Sequence, residues 1–253
     1  MVRAEHARRT LRIHAQRLAQ TATDTTLPNP AAATVDQADA LAQFLDEHAS
    51  QFPPHPGSLP RTPLPPSPPR ETGEDALGEE RLLLATATAQ PASLKTMRWL
   101  QSDDFALPLH AALFRCLTAL AHRGDPVDPI TVLWEAQHRG LLTPDIAPHD
   151  LMALLSTPVG SAEHWGEKIL QRSLLAQAHT TAERIQALTD DPVNTPHQLV
   201  TGSRRALTAV RARWQHTGAK PPSTARPSSR APAASRAGPP PTAPPATQAR
   251  VTR

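Results

Sequence analysis

Twelve histidines, one cysteine and the acidic pairs Glu79-Glu80 and Asp103-Asp104 are the side chains of this 253-residue chain weighed first for chemistry. A metal centre needs ligands that share one face, in patterns such as H-x-x-x-H or H-E-x-x-H. The histidines are scattered and form neither pattern, so no metal site and no cofactor are expected. Cys116 lies in the apolar run Leu113-Phe114-Arg115-Cys116-Leu117 and reads as a buried, inert thiol. As the single cysteine it leaves no internal disulfide and no CxxC pair. Asp103-Asp104 precedes an apolar helix and reads as turn and cap chemistry. Glu79-Glu80 reads as a first-turn acidic pair, favoured by the helix dipole. His110 falls on a helix among leucines, where a core hydrogen bond is the expected role rather than proton transfer. No serine or cysteine nucleophile has a base nearby in sequence, so no catalytic residue is expected and the chain reads as a non-enzyme.

Arginine is the other chemically active residue type. Arg3, Arg8, Arg9, Arg12 and Arg17 stand at the front against one acid, Glu5. From Lys220 onward come Arg226, Arg230, Arg236, Arg250 and Arg253 with no acid at all. Basic ends on a chain of net charge +3 can hold nucleic acid through its phosphates, without sequence preference. The candidate contacts for such weak DNA binding are Arg8, Arg9, Arg12, Arg204, Arg205, Arg211 and Arg213. No aromatics interleave with these charges to stack on bases, and a solubilising Arg/Ala/Pro composition accounts for the same residues.

The elements that must position these groups are helical. Residues 3–20 form a basic amphipathic helix with Ala4, Ala7, Leu11, Ala15 and Leu18 on one face. Residues 35–52 form an acidic one, with Asp36 and Asp39 in its first turn and Leu41, Phe44 and Leu45 on its stripe. Their opposite charge lets the two pair, although no spacing demands it. Prolines then cluster in the linker 53–78 and again in the tail 217–253, which holds too little apolar surface to offset its ordering entropy. Between them the pattern predicts a folded region opening at Glu79. A buried first helix follows, then a helix started by Pro91 that carries Leu94, Met97 and Leu100. Further helices are expected over Pro108–Arg123, Ile130–Arg139 and Pro148–Leu155, the first closed by Gly124. From Ser161 to about Thr189, and again from Thr195 to near Gly218, two long stripes joined by a short turn predict an αα-hairpin. No strand-period segment is present, and the fold class is all-α. No run of about 18 apolar residues and no leader-like start occurs, so no membrane span and a cytoplasmic location are expected.

Order and spacing carry a family resemblance. Asp104-Phe105, His110, Phe114, the turn Gly124-x-Pro126-x-Asp128, Thr131-Val132 and Gly140-Leu141-Leu142 follow one another at characteristic intervals. Trp165-Gly166-Glu167 and Arg172-Ser173-Leu174-Leu175 continue the register. This succession resembles the N-terminal region of DnaB-type replicative DNA helicases, a small helical domain (79–158) followed by a helical hairpin (159–216). Pro144-Asp145-Ile146-Ala147-Pro148 replaces the family's glycine-bearing loop, and Glu163-His164 stands where an Asn is usual. In that family an ATPase motor follows. Here no G-x-x-x-x-G-K-[ST] occurs, and the remainder after Trp214 is short of the 150 or so residues such a domain needs.

The resemblance implies a non-catalytic DNA-replication module that assembles with itself, a helicase ring or a primase. Its expected interface is the hairpin stripe: Trp165, Ile169, Leu170, Leu174, Leu175, Ile185, Leu188, Leu199, Leu207, Val210 and Trp214. On that reading Leu174→Asp breaks association and spares the helices. The alternatives are a DNA-binding protein that uses its basic tails on a helical scaffold, and a truncated or split helicase.

Overall fold

Prolines and short polar caps set where the helices begin. The computed structural model describes residues 2–53, 59–63, 73–144 and 146–216. Most of the proline-rich linker and the whole basic tail from residue 217 lie outside them. Nine α-helices follow in order among the described residues: α1 (Val2–Thr23), α2 (Pro30–Ala49), α3 (Glu74–Ala89), α4 (Ser93–Thr96), α5 (Pro108–Arg123), α6 (Pro129–His138), α7 (Pro148–Leu155), α8 (Ala162–Asp190) and α9 (Pro196–His216). A 3-10 turn, Ser102–Asp104, sits between α4 and α5. No described residue lies in a strand, and the all-α expectation holds.

Five of these helices open on a proline, whose missing N–H is no loss at that position and whose fixed φ suits the first turn. Asn29 caps α2 by accepting from the Ala32 N–H at 3.1 Å. Asp128 caps α6 through the N–H groups of Ile130 (2.9 Å) and Thr131 (3.0 Å). Gly124 ends α5 in the left-handed conformation, φ +79°, which a side chain would resist.

Three boundaries differ from the sequence expectation. The Asn29–Pro30 cap and the alanines behind it start α2 five residues before Val35, so Asp36 and Asp39 sit beyond the first turn. In the same way Gly73 and the acids Glu74 and Asp75 start α3 ahead of Glu79. The helix expected after Pro91 is a single turn, α4; Met97 ends it, and Leu100 is buried from a loop.

Two antiparallel hairpins, α1–α2 and α8–α9, pack face to face as a four-helix bundle in which α1 lies on α8 and α2 on α9. The pairs Asp46–Arg204 and Asp39–Arg211 run in opposite order along α2 and α9, which fixes those helices as antiparallel. Helices α3–α7 form a smaller helical layer, attached to the bundle where α3 and α4 meet α8. A single apolar cluster runs through both parts, from Leu11, Leu18, Leu41 and Leu45 through Leu83, Leu113 and Leu117 to Ile169, Ile185 and Leu207. Burying this much apolar surface is the main force for folding. No helix among the described residues is long and apolar enough to cross a membrane.

Candidate functional site

Helix α8 begins by wedging against α4. Gly166 faces Trp99 and Met97 so closely that a Cβ built there would lie 3.0 and 3.2 Å from their side chains. One residue earlier, the Trp165 indole N–H donates to the Val159 carbonyl at 2.6 Å, and the Lys168 ammonium sits 5.5 Å from the ring centre. From this anchor α8 passes beneath the small helical layer and into the bundle.

The hairpin stripe is interior. Ile169, Leu170, Leu174, Ile185, Leu188, Leu199, Leu207, Val210 and Trp214 are all buried, while Trp165 and Leu175 are half-buried. The expectation of an interface on this stripe overlooked the chain's own first 49 residues. Leu11, Ala15 and Leu18 of α1, with Ala38, Leu41 and Leu45 of α2, join the same cluster and close the face. Leu174→Asp therefore places a carboxylate in the core and tests folding, not association.

The seven arginines expected to meet DNA are mostly occupied. Arg8 reaches the turn between α8 and α9, donating to the carbonyls of Thr189 (3.0 Å), Asp191 (2.7 Å) and Asn194 (2.6 Å). It thereby satisfies C-terminal carbonyls of α8 and complements that end's negative dipole. Arg12 pairs with Asp190, Arg204 with Asp46, Arg211 with Asp39, and Arg213 with Asp104. Arg9 and Arg205 are exposed. The opposite charges of α1 and α2 thus act across the bundle, onto α8 and α9.

Two buried carboxylates fasten the hairpin to the small layer. Glu80, fully buried on α3, accepts from the N–H of Ala106 at 2.6 Å, from His110 Nδ1 at 2.8 Å and from Arg172 at 3.2 Å. Arg172 also pairs with Glu79 at 2.5 Å. Asp104, in the 3-10 turn, accepts from the Gln101 N–H at 2.8 Å and the Ser173 hydroxyl at 2.9 Å, and it pairs with Arg213. His110 is a core hydrogen-bonding residue, as its helical position implied. Asp104 bears out the turn and cap reading of its doublet, its carboxylate accepting from the Gln101 N–H in a capping box, whereas Glu80 stands beyond the first turn of α3. In addition, each is the buried acceptor for an arginine of the hairpin. Partners 92 and 109 residues apart left no local signal.

Cys116 is fully buried, and burial pushes its thiol pKa up, consistent with an inert side chain. Among the described residues no three His, Cys, Asp or Glu side chains gather as a metal site would require.

The outer face of α6 was missed in the sequence. Ile130 is 59% exposed and Trp134, one turn on, 67%. Only Val132 and Ala136 of this helix are buried. The i, i+4 spacing was legible, but an apolar pair at that spacing is ordinarily a core stripe, and only the packing of α6 on α5 and α7 turns it outward. Beside it, Glu135 bridges Arg123 (2.8 Å) and Arg139 (2.7 Å), and these two hold its carboxyl below the usual carboxylate range.

Comparison with known proteins places a family on part of this structure. Residues 74–169 match the model for the DnaB-like helicase N terminal domain. The match runs from the first residue of α3 through α7 and ends in α8. A replicative DNA helicase DnaB of Mycobacterium leprae is 27% identical over 118 residues, which is 46% of this chain and 20% of the helicase. The chain therefore spans about a fifth of that relative's length. No solved structure matches. The resemblance read from Phe105, His110, Phe114 and the turn before α6 holds over residues 74–169.

Proposed function

We propose that this chain is a non-catalytic docking module of DNA replication, one that binds a replicative helicase or primase through its DnaB-like domain. The observation that carries this reading is the exposed Ile130–Trp134 turn. It lies within the matched segment, and the helix beneath it is anchored by the Asp128 cap and the Arg123–Glu135–Arg139 cluster. Tryptophan is enriched at the centres of protein interfaces, where one large ring buries much area at little entropic cost. An apolar pair on an ordered helix, rimmed by charges, has the makeup of such an anchor.

The test is light scattering of the purified full chain, alone and mixed in turn with the replicative helicase and the primase of its own host. A complex with either partner is expected, and Trp134→Ala is expected to abolish it without changing the circular dichroism. Free migration of both mixtures overturns the reading. The DNA-binding alternative rests on fewer residues than before. Of its candidates with a described side chain, only Arg9 and Arg205 lie outside the intramolecular pairs given above.

A further inference from the structure

We infer that the turn between α8 and α9 is a built binding site for an extended Leu-Pro-x-Thr segment, and that the chain's own Leu59–Thr62 fills it as a strap. The inference goes beyond the docking reading above and is independent of what α6 binds.

The described part of the proline-rich linker lies on this turn. The Thr62 hydroxyl donates to the Asp191 carboxylate at 2.7 Å and accepts from the Asn194 amide at 2.7 Å. The Gln198 amide donates to the Leu59 carbonyl at 3.2 Å. Where the linker leaves α2, His197 Nδ1 donates to the Pro53 carbonyl at 3.0 Å. Phe52 meets the same imidazole edge-on, with ring centroids 5.5 Å apart. The polar groups that receive the linker thus all stand between Asp191 and Gln198, in the turn and the start of α9.

These groups are held in place by the hairpin itself. Asn194 is 4% exposed, and its amide also donates to the Leu188 carbonyl at 2.9 Å, so α8 fixes the side chain that meets Thr62. The Val193 N–H donates to Asp191 at 2.9 Å. The Thr62 hydroxyl first, and then this N–H, hold the Asp191 carboxyl below the usual carboxylate range. Gly202 supplies the apolar half of the site. Glycine inside a helix is less favourable than alanine. A Cβ at this position, however, would stand 2.9 Å from Pro60 Cγ and 2.9 Å from Leu188 Cδ1. The bare backbone of α9 is the seat of the proline ring.

The segment suits such a site. Pro60 and Pro63 have no N–H to satisfy, and each presses the residue before it towards extended backbone. Those preceding residues, Leu59 and Thr62, are the ones whose carbonyl and hydroxyl are taken. A segment stiffened in this way gives up little entropy on binding, and its tether keeps it at high effective concentration. Arg8 grips the backbone carbonyls of the same turn from α1. Two distant parts of the chain therefore close the tip of the hairpin, Arg8 on its backbone and Thr62 on its side chains.

Trypsin tests the strap, since Arg61 is exposed and followed by Thr62. The initial rate of cleavage after Arg61 is compared between the full folded chain and a free peptide of residues 57–66. The chain is expected to be cut about tenfold more slowly. Thr62→Val removes the hydroxyl and keeps the shape, and its rate is set against a peptide carrying the same change. Gly202→Ala fills the proline seat. Each is expected to raise the rate in the chain about threefold, with the circular dichroism unchanged. Equal rates in the wild-type chain and peptide overturn the strap. Protection that neither substitution lessens means that other contacts hold the segment, and it overturns the site at Asp191, Asn194 and Gly202.

Discussion

His110 donates through Nδ1 to the Glu80 carboxylate across 2.8 Å, with side-chain exposures of 1% and 0%. Glu80 comes from the second turn of α3 and His110 from the first turn of α5, while the same carboxylate takes Arg172 from α8. One buried anion thus ties three helices together. Such a group is not a source of large net stability, because its desolvation offsets its attractions; removing it is what costs. Glu80→Ala leaves the Ala106 N–H and His110 without their acceptor and Arg172 with only Glu79 and the Ala76 carbonyl. It is expected to destabilise by about 3–5 kcal/mol, read as a shift in the urea midpoint, and Glu80→Gln is expected to cost less.

The Asp104–Arg213 pair allows a sharper separation. Arg213 is 12% exposed and Asp104 1%, so Arg213→Met leaves a carboxylate in the core with only the Gln101 N–H and the Ser173 hydroxyl to hold it. A loss of about 3 kcal/mol is expected. Asp104→Asn/Arg213→Met is expected to recover part of that loss, because the stranded charge is gone. A double-mutant cycle in urea checks the sign, and strict additivity defeats the pairing.

Much of this architecture was legible in the chain. Leu109, Leu113, Phe114, Leu117 and Leu120 gave α5 its length because an exposed helix surface and a buried one alternate at the period of the helix itself. Gly124 and Pro148 gave neighbouring boundaries to the residue, since φ restrictions are local. The hairpin was legible as an element, but its exposure was not. Whether the α8 stripe faces water depends on residues such as Leu11 and Leu18, which join its cluster from far earlier in the chain, and no spacing encodes that meeting. The arginines show the same limit. Arg8 and Arg213 look alike in sequence, yet one closes a helix end and the other neutralises a buried acid.

Asp128 combines a cap with an acid-sensitive group. It accepts from the Ile130 and Thr131 N–H groups and from the Thr131 hydroxyl at 2.7 Å, and these bonds, the hydroxyl first, hold its pKa below the usual carboxylate value. Asp128→Ala is expected to cost about 1 kcal/mol. The depressed folded value means that the contribution is present above the unfolded pKa and is lost as pH falls through the folded one. Wild type and Asp128→Ala are therefore expected to differ in thermal midpoint at neutral pH and to converge in strong acid.

Trp134 separates binding from stability. With two-thirds of its surface in water, its removal takes little from the core. Trp134→Ala is expected to change stability by no more than about 0.5 kcal/mol, measured by urea unfolding of the full chain. A larger loss shows that the ring packs on its own domain and withdraws it as a docking residue.

His14 gives the bundle a pH dependence with a definite sign. The ring lies 5.3 Å from Phe44 of α2, and its Nδ1 is buried without a partner. Burial first, and Arg17 second, lower its pKa. The unfolded chain then binds a proton that the folded chain resists, so stability rises with pH across the interval between the two values. It is full above the ordinary histidine pKa of about 6.5 and is lost as pH falls from there towards the folded value. His14→Leu removes this term and fills the position with an apolar side chain. Thermal midpoints of the two proteins are expected to diverge progressively as pH falls from about 7 towards 5. The two proteins share every other residue, so the difference between the two curves isolates His14. A constant separation at every pH means that His14 titrates alike in the folded and unfolded chain and gives the bundle no pH dependence.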